Sequence, residues 1–247
     1  MKQIRDIMGM PVAVEIAGAA AQKNFDEVFN YFRHIDETFS TYKNKSEISR
    51  INRKELSFDK WSDEMKAVFK LSEETKFLTG GYFDIKKPGG SYDPSGLVKG
   101  WAIWNAAELL KKLGCENFCV DVGGDIQACG KNAEGKEWSV GIRNPLNINE
   151  IVKVIYPRGR GVATSGTYIR GNHIYNPLTG KPPETDIVSL TVIGPNVYEA
   201  DRFATPAFAM GRAGIEFIEN WDGFEGYAID KNGMATMTSG FENHTKI

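Results

Sequence analysis

Phe25, Val28, Phe29, Phe32, Ile35 and Phe39 recur at helical spacing. Residues from about 22 to 39 therefore form an amphipathic helix, and its wide apolar stripe forces a second layer to cover it. Asp36 interrupts that stripe. A carboxylate there must find hydrogen-bond donors, most simply the backbone of the polar Ser40-Thr41-Tyr42 that follows. A short helix starts from Ser46, where Ser46-Glu47-Ile48-Ser49 suits an N-terminus. Another runs from 62 to about 77 through Met65, Val68, Phe69 and Ser72 and ends before Gly80-Gly81.

The later part of the chain changes period. Residues 11–16 already alternate as a first strand, and 118–122 read as another, followed by Gly123-Gly124-Asp125. Short strands are expected around 138–142, 151–156 and 161–165, and the β-branched run 187–193 is a further one. Residues 198–210 have helical character despite Pro206, and 226–230 with 234–238 form a terminal hairpin around Lys231-Asn232-Gly233. Helices cluster early and strands late, so the class is α+β, with mixed sheets backed by helices. At ~150 residues per domain, 247 residues suit one domain over 1–247 or two interlocked lobes; no linker or repeat divides them.

Several function classes fall on composition. A net charge of −2 lacks the basic excess of a dedicated nucleic-acid binder. With 25% charged and 41% hydrophobic residues, the chain is ordinary globular material. Its apolar runs fall far short of the ~18 residues a transmembrane helix needs. Cys115, Cys119 and Cys129 make no CxxC pair, have no histidine beside them for zinc, and read as small buried hydrophobes. The N-terminus lacks the apolar core of a secretory signal and has no cysteine for lipidation. That pattern fits a cytoplasmic protein, or a mature exported one whose leader has been removed.

Three segments carry the candidate chemistry. The Gly- and Pro-rich stretch 88–100 runs into a helix through Val98, Trp101, Ala102, Leu109 and Leu113, with Asp93 or Ser95 as N-cap. Backbone N–H groups at such a junction attract anions, and Lys99, in the first turn, would add a cation against the helix dipole. Alone, this is as readily a capped helix with a solvated lysine. Asp201 and Thr205, four apart, stack on one helical face as a hard oxygen half-site for Mg²⁺, or as a simple side-chain hydrogen bond. His173 is the one of three histidines embedded among hydroxyl-rich turn residues and suits a general base, although a lone histidine is more often structural than catalytic. The nucleophile elbow Gly-x-Ser-x-Gly, the Walker A loop and Gly-x-Gly-x-x-Gly are all absent.

In order along the chain, these segments resemble the ApbE family of FAD:protein FMN transferases. The matching stretches begin with Met8-Gly9-Met10-Pro11-Val12, Phe39-Ser40-Thr41-Tyr42, Ser46-Glu47-Ile48-Ser49-Arg50-Ile51-Asn52 and Gly80-Gly81-Tyr82-Phe83-Asp84-Ile85. They continue with Asp93-Pro94-Ser95-Gly96-Leu97-Val98-Lys99-Gly100, Asp121-Val122-Gly123-Gly124-Asp125, Thr164-Ser165-Gly166 through His173 to Pro182, and Ala200-Asp201-Arg202-Phe203-Ala204-Thr205. Each piece is unspecific; the ordered set is strongly specific. Met10, Pro94 and Asn176 depart from the residues usual in the family, where Thr, an apolar residue and Asp stand.

The resemblance implies an enzyme that uses Mg²⁺ to cleave FAD and transfers FMN to a threonine or serine hydroxyl of an acceptor protein, releasing AMP. By the same resemblance Asp201 and Thr205 match the metal ligands, completed by the backbone carbonyl of Gly96. Asp93, Lys99, Met8 and Tyr42 match FAD contacts, and His173 matches the histidine required for activity. Two alternatives keep the same site: an FAD pyrophosphatase giving free FMN and AMP, and a non-catalytic FAD-binding protein.

Overall fold

The computed structural model of the chain describes residues 1–18, 22–167 and 174–246. The apolar stripe is helix α1 (Gln22–Phe39), with all six of its large apolar residues buried. It packs on α2 (Glu47–Asn52) and on α4 (Ser95–Lys112), beside α3 (Asp63–Leu78). Asp36 does not turn to the backbone of residues 40–42 as expected. Its Oδ2 lies 2.5 Å from the Lys43 ammonium, because a flexible cation seven residues on, past the end of α1, satisfies a half-buried carboxylate better than amides fixed in a turn.

Ser46 caps α2 as its sequence suggests: its Oγ accepts from the Ser49 N–H at 3.2 Å and donates to the Ser40 carbonyl at 2.6 Å. Both bonds lie in a fully buried hydroxyl. Ser46→Ala is therefore expected to cost about 1–2 kcal/mol, the upper part of the usual cap range, read as a lowered midpoint in chemical denaturation.

In chain order the strands are β1 (Lys2–Ile7), β2 (Met10–Ile16), β3 (Phe118–Val122), β4 (Asp125–Cys129), β5 (Val140–Asn144), β6 (Asn147–Ile155), β7 (Gly161–Gly166), β8 (Ile187–Gly194), β9 (Glu225–Asp230) and β10 (Ala235–Met237). Eight of them form one sheet in the order β1-β2-β3-β4-β7-β8-β9-β10, and β5-β6 is a separate ribbon. The α+β class holds, with sheets backed by helices. The sheets are antiparallel throughout the described strands, neighbouring strands running in opposite directions at every pairing.

Strands β1 and β4 and the helix α6 (Ala213–Glu219) were not expected from the sequence. β1, Lys2-Gln3-Ile4-Arg5-Asp6-Ile7, is an edge strand whose charges suit an edge and mask any alternation. Met8 and Gly9 turn the chain from β1 to β2 with φ of 58° and 72°, the positive values a tight hairpin demands.

Helix α5 (Val197–Ala209) lies against β7 and β8 and also against α4. On that face of the sheet Ala163, Leu190, Val192 and Ala228 meet Phe203, Ala207 and Phe208. On the opposite face Val162, Ile193, Tyr227 and Ile229 meet Val140, Ile142 and Ile155 of the ribbon and the buried Phe241. The second half of the sheet is thus covered on both sides.

Candidate functional site

The junction at 88–100 does become a helix start, with two differences. Pro94 is the N-cap and makes no side-chain cap bond; Ser95 is the first helical residue of α4. Asp93 stands one place outside, its Oδ1 accepting the Ser95 N–H at 3.2 Å and its Oδ2 2.6 Å from the Lys87 ammonium. Burial works against its charge, yet the Lys87 ammonium and the Ser95 donors outweigh burial and hold this carboxyl below its ordinary value. Lys99 is the fifth residue of α4, past the first turn, so the expected conflict with the helix dipole does not arise.

Lys99 reaches into the protein. Its Nζ lies 2.6 Å from Asp125 Oδ2 and 3.5 Å from Asp201 Oδ1. Both carboxylates are almost sealed from solvent, Asp125 being 1% and Asp201 2% exposed. The other oxygen of Asp201 accepts the backbone N–H of Gly100 at 2.7 Å, tying α5 directly to α4. Burial pushes the Asp201 carboxyl up to about 8; the Lys99 ammonium pulls against that shift and the Asp125 charge adds to it. The one ammonium beside this carboxyl does not offset its burial, a deficit that a bound cation would meet.

Thr205 follows one turn after Asp201 on α5, and its hydroxyl lies 3.3 Å from Ser165 Oγ at the end of β7. A side-chain carbon placed on Gly96 would stand 3.9 Å from the Thr205 methyl, so the first turn of α4 faces this same spot. Asp201, Thr205, Gly96 and Lys99, far apart in sequence, therefore meet between α4, α5 and β7. Their available donors are a carboxylate, hydroxyls and backbone oxygen, which suit a hard cation such as Mg²⁺. No group of three or more His, Cys, Asp or Glu side chains that could hold a metal ion occurs among the described residues, so a cation here would rely on hydroxyl and backbone oxygens as well.

Asp125 was missed as a site residue. The Gly123-Gly124 pair is indeed a tight turn, with φ of 61° and 98°, but the residue after it opens β4 with its side chain toward α4 and α5. The one available signal was polar periodicity. Asp125 and Gln127 share a strand face, and both are buried there, Gln127 Oε1 accepting the first N–H of α5 at 2.9 Å.

The remaining candidates are placed less centrally. Met8 sits in the β1–β2 turn, and Met10 two residues on lies against the Gly123 turn: a carbon added at Gly123 would come within 3.2 Å of its Sδ. Tyr42 is 96% exposed, and no hydrogen bond or ion pair among the described residues joins it to the cluster. His173 lies outside the described residues. Just beyond it, the Tyr175 hydroxyl donates to the Asp84 carbonyl at 3.2 Å. Asn176 Oδ1 accepts the Leu178 N–H at 2.9 Å, so the amide at this departure from the family pattern still closes its turn.

A cleft of about 560 Å³ opens beside the loop that carries Asp93, lined by Asn52, Lys54, Trp61, Lys86 and Tyr92. Asn52 clamps that loop, its side-chain amide donating to the Tyr92 carbonyl at 2.9 Å while its Oδ1 accepts the Tyr92 N–H at 2.7 Å. None of the oxygen-donor residues between α4 and α5 lines the cleft.

Residues 8–89 and 85–228 match the family model described as the ApbE family. The chain belongs to the ApbE family. Among curated ApbE relatives, the FAD:protein FMN transferase of Escherichia coli (strain K12) is 33% identical over 166 residues, covering 64% of this chain and 47% of that protein. That of Treponema pallidum (strain Nichols) is 31% identical over 144 residues, covering 51% and 40%. The chain spans about half the length of the curated relatives it matches. Among solved structures, the flavin transferase ApbE from Vibrio cholerae superposes with a TM-score of 0.86 at 23% identity, over 99% of this chain and 98% of that one. The ApbE protein from Thermotoga maritima gives 0.88 at 20% identity, over 100% and 99%. At those identities the likeness establishes the fold. No helix among the described residues is long and apolar enough to cross a membrane.

Proposed function

We propose that this chain transfers FMN from FAD to a threonine or serine hydroxyl of an acceptor protein, with Mg²⁺ bound and AMP released. The observation that carries the reading is the meeting of Asp201 and Thr205 with the start of α4 and Lys99, in a chain whose curated relatives bear the name FAD:protein FMN transferase. Asp201, Thr205 and the Gly96 carbonyl would hold the Mg²⁺. When bound, the ion supplies Lewis-acid charge neutralisation at a diphosphate.

The chemistry balances without a covalent enzyme intermediate. The acceptor oxygen forms a bond to the FMN phosphorus, the diphosphate P–O bond breaks, and AMP leaves with that bond's electron pair. His173 would take the hydroxyl proton, a role that rests on the family resemblance. Lys99 would add positive potential, and Asp93, with Met8 and Tyr42, would position the dinucleotide. Transfer of this kind depends chiefly on placement and charge, which is what the buried cluster offers.

The test is incubation with FAD, Mg²⁺ and a panel of acceptor flavoproteins. The expected product is a flavin-fluorescent acceptor that survives denaturing electrophoresis, with one AMP per flavin attached, and none after chelation of the metal. Free FMN and AMP in place of labelled acceptor would instead identify a pyrophosphatase. FAD recovered intact after long incubation would identify a binding protein.

A further inference from the structure

Three charged groups meet at the cluster, and the metal site proposed above uses only one of the two carboxylates. Asp125 lies close enough to Asp201 to act on its charge directly as well as through the shared Lys99 ammonium, and it is held as firmly as the candidate donors. Its Oδ1 accepts the Thr164 N–H at 3.1 Å, and its strand is pinned to β3 by a tight hairpin. Its Oδ2 is buried and makes no well-directed hydrogen bond, with the Lys99 ammonium 2.6 Å away. The same ammonium makes a longer ion pair with Asp201 Oδ1, at 3.5 Å.

We infer that Asp125 is a positioning residue that holds the Lys99 ammonium off Asp201 and so keeps the Asp201 carboxylate open to a divalent cation. The inference rests on the proposed metal site. A lysine on α4 sits so near Asp201 that, alone with it, the ammonium would close on the carboxylate and compete with a metal for the same oxygen. A second carboxylate, which the ammonium approaches to 2.6 Å against 3.5 Å for Asp201, draws it away. With both carboxylates ionised, as a bound dication would favour, the trio also carries an excess of one negative charge. Asp125 thus acts on the metal through the lysine and not as a ligand.

The test is Mn²⁺ titration of the metal-free protein without FAD or acceptor, following free Mn²⁺ by electron paramagnetic resonance, with thermal unfolding of each variant recorded in parallel. Asn at 125 keeps an oxygen for the Thr164 N–H and removes only the charge. Asp125→Asn is expected to weaken Mn²⁺ binding about tenfold or more, the scale seen when a partner of a metal ligand is lost. Adding Lys99→Met to Asp125→Asn is expected to restore binding to within about threefold of the parent, a coupling that a double-mutant cycle isolates. A merely structural carboxylate would show no such rescue. Unchanged binding in Asp125→Asn, or weakening that persists in the double variant, overturns the inference while leaving the metal site standing. If Asp125→Asn does not fold, Asp125→Ser with and without Lys99→Met carries the same two outcomes. Absence of Mn²⁺ binding by the parent overturns the metal site and this inference together.

Discussion

Asp201→Asn is expected to lower the rate of FMN transfer at saturating FAD by about 10³-fold or more, the scale of losing a principal source of charge stabilisation for a departing phosphate. Asparagine keeps the volume and one oxygen for the Gly100 N–H, which Asp201 now receives at 2.7 Å, so α4 and α5 stay joined. Only the negative charge goes, and with it the anionic anchor for a dication beside Thr205. Asp201→Ala is expected to be equally inactive and less stable as well, because it strands the Gly100 N–H in the interior. Appearance of flavin fluorescence on the acceptor measures the rate, and unfolding midpoints separate the two variants. An asparagine variant retaining a tenth of the parent rate would remove Asp201 from the metal site.

Gly100→Ala is expected to destabilise the protein by about 3 kcal/mol, the upper part of the overpacking range, and to lower its melting temperature by roughly 6–12 °C. The added methyl would lie 2.5 Å from Asp201 Cβ and 2.9 Å from both Asp201 Oδ2 and the Val197 carbonyl. The Asp201 Cβ and the Val197 carbonyl are near-backbone and backbone atoms of α5, and neither can swing aside. The only relief is to part α4 from α5. The same movement separates Gly96 from Thr205, so activity falls further than stability alone explains. Calorimetry together with transfer rates measured well below the melting temperature checks both halves. A methyl tolerated there with the melting temperature unchanged would mean the two helices are not so closely apposed.

Much of the fold could be read wherever one periodicity acts alone. The Phe25-to-Phe39 stripe is covered on one side only, so its period survives to the surface and α1 begins and ends at the expected residues. The strands at 118–122 and 187–193 were equally plain. Reading failed where two demands overlap. In β4 both faces are covered, with Ile126 toward the ribbon and Asp125 and Gln127 toward the helices, so alternation cannot say which face is inner. That is how Asp125 passed as part of a turn. Lys99 reads as a first-turn residue if Ser95 is the N-cap, which would make it the fourth helical residue; with Pro94 as the cap it is the fifth. The meeting of the Asp201–Thr205 pair with Gly96 and Lys99 could not come from spacing, since packing brings together α5 and α4, which are distant in the chain. It was the ordered set of motifs that suggested it.

The ribbon β5-β6 leaves the sheet after β4 and returns at β7, packing on the side away from α5. The two strands flanking this excursion, β4 and β7, are those that supply Asp125 and Ser165. The excursion thus behaves as a keel beneath the deck on which the charged trio stands. Its tip can lengthen or shorten at little cost to the chemistry above, while its root, Val140, Ile142 and Ile155, must stay wedged or the planks carrying those two side chains shift apart.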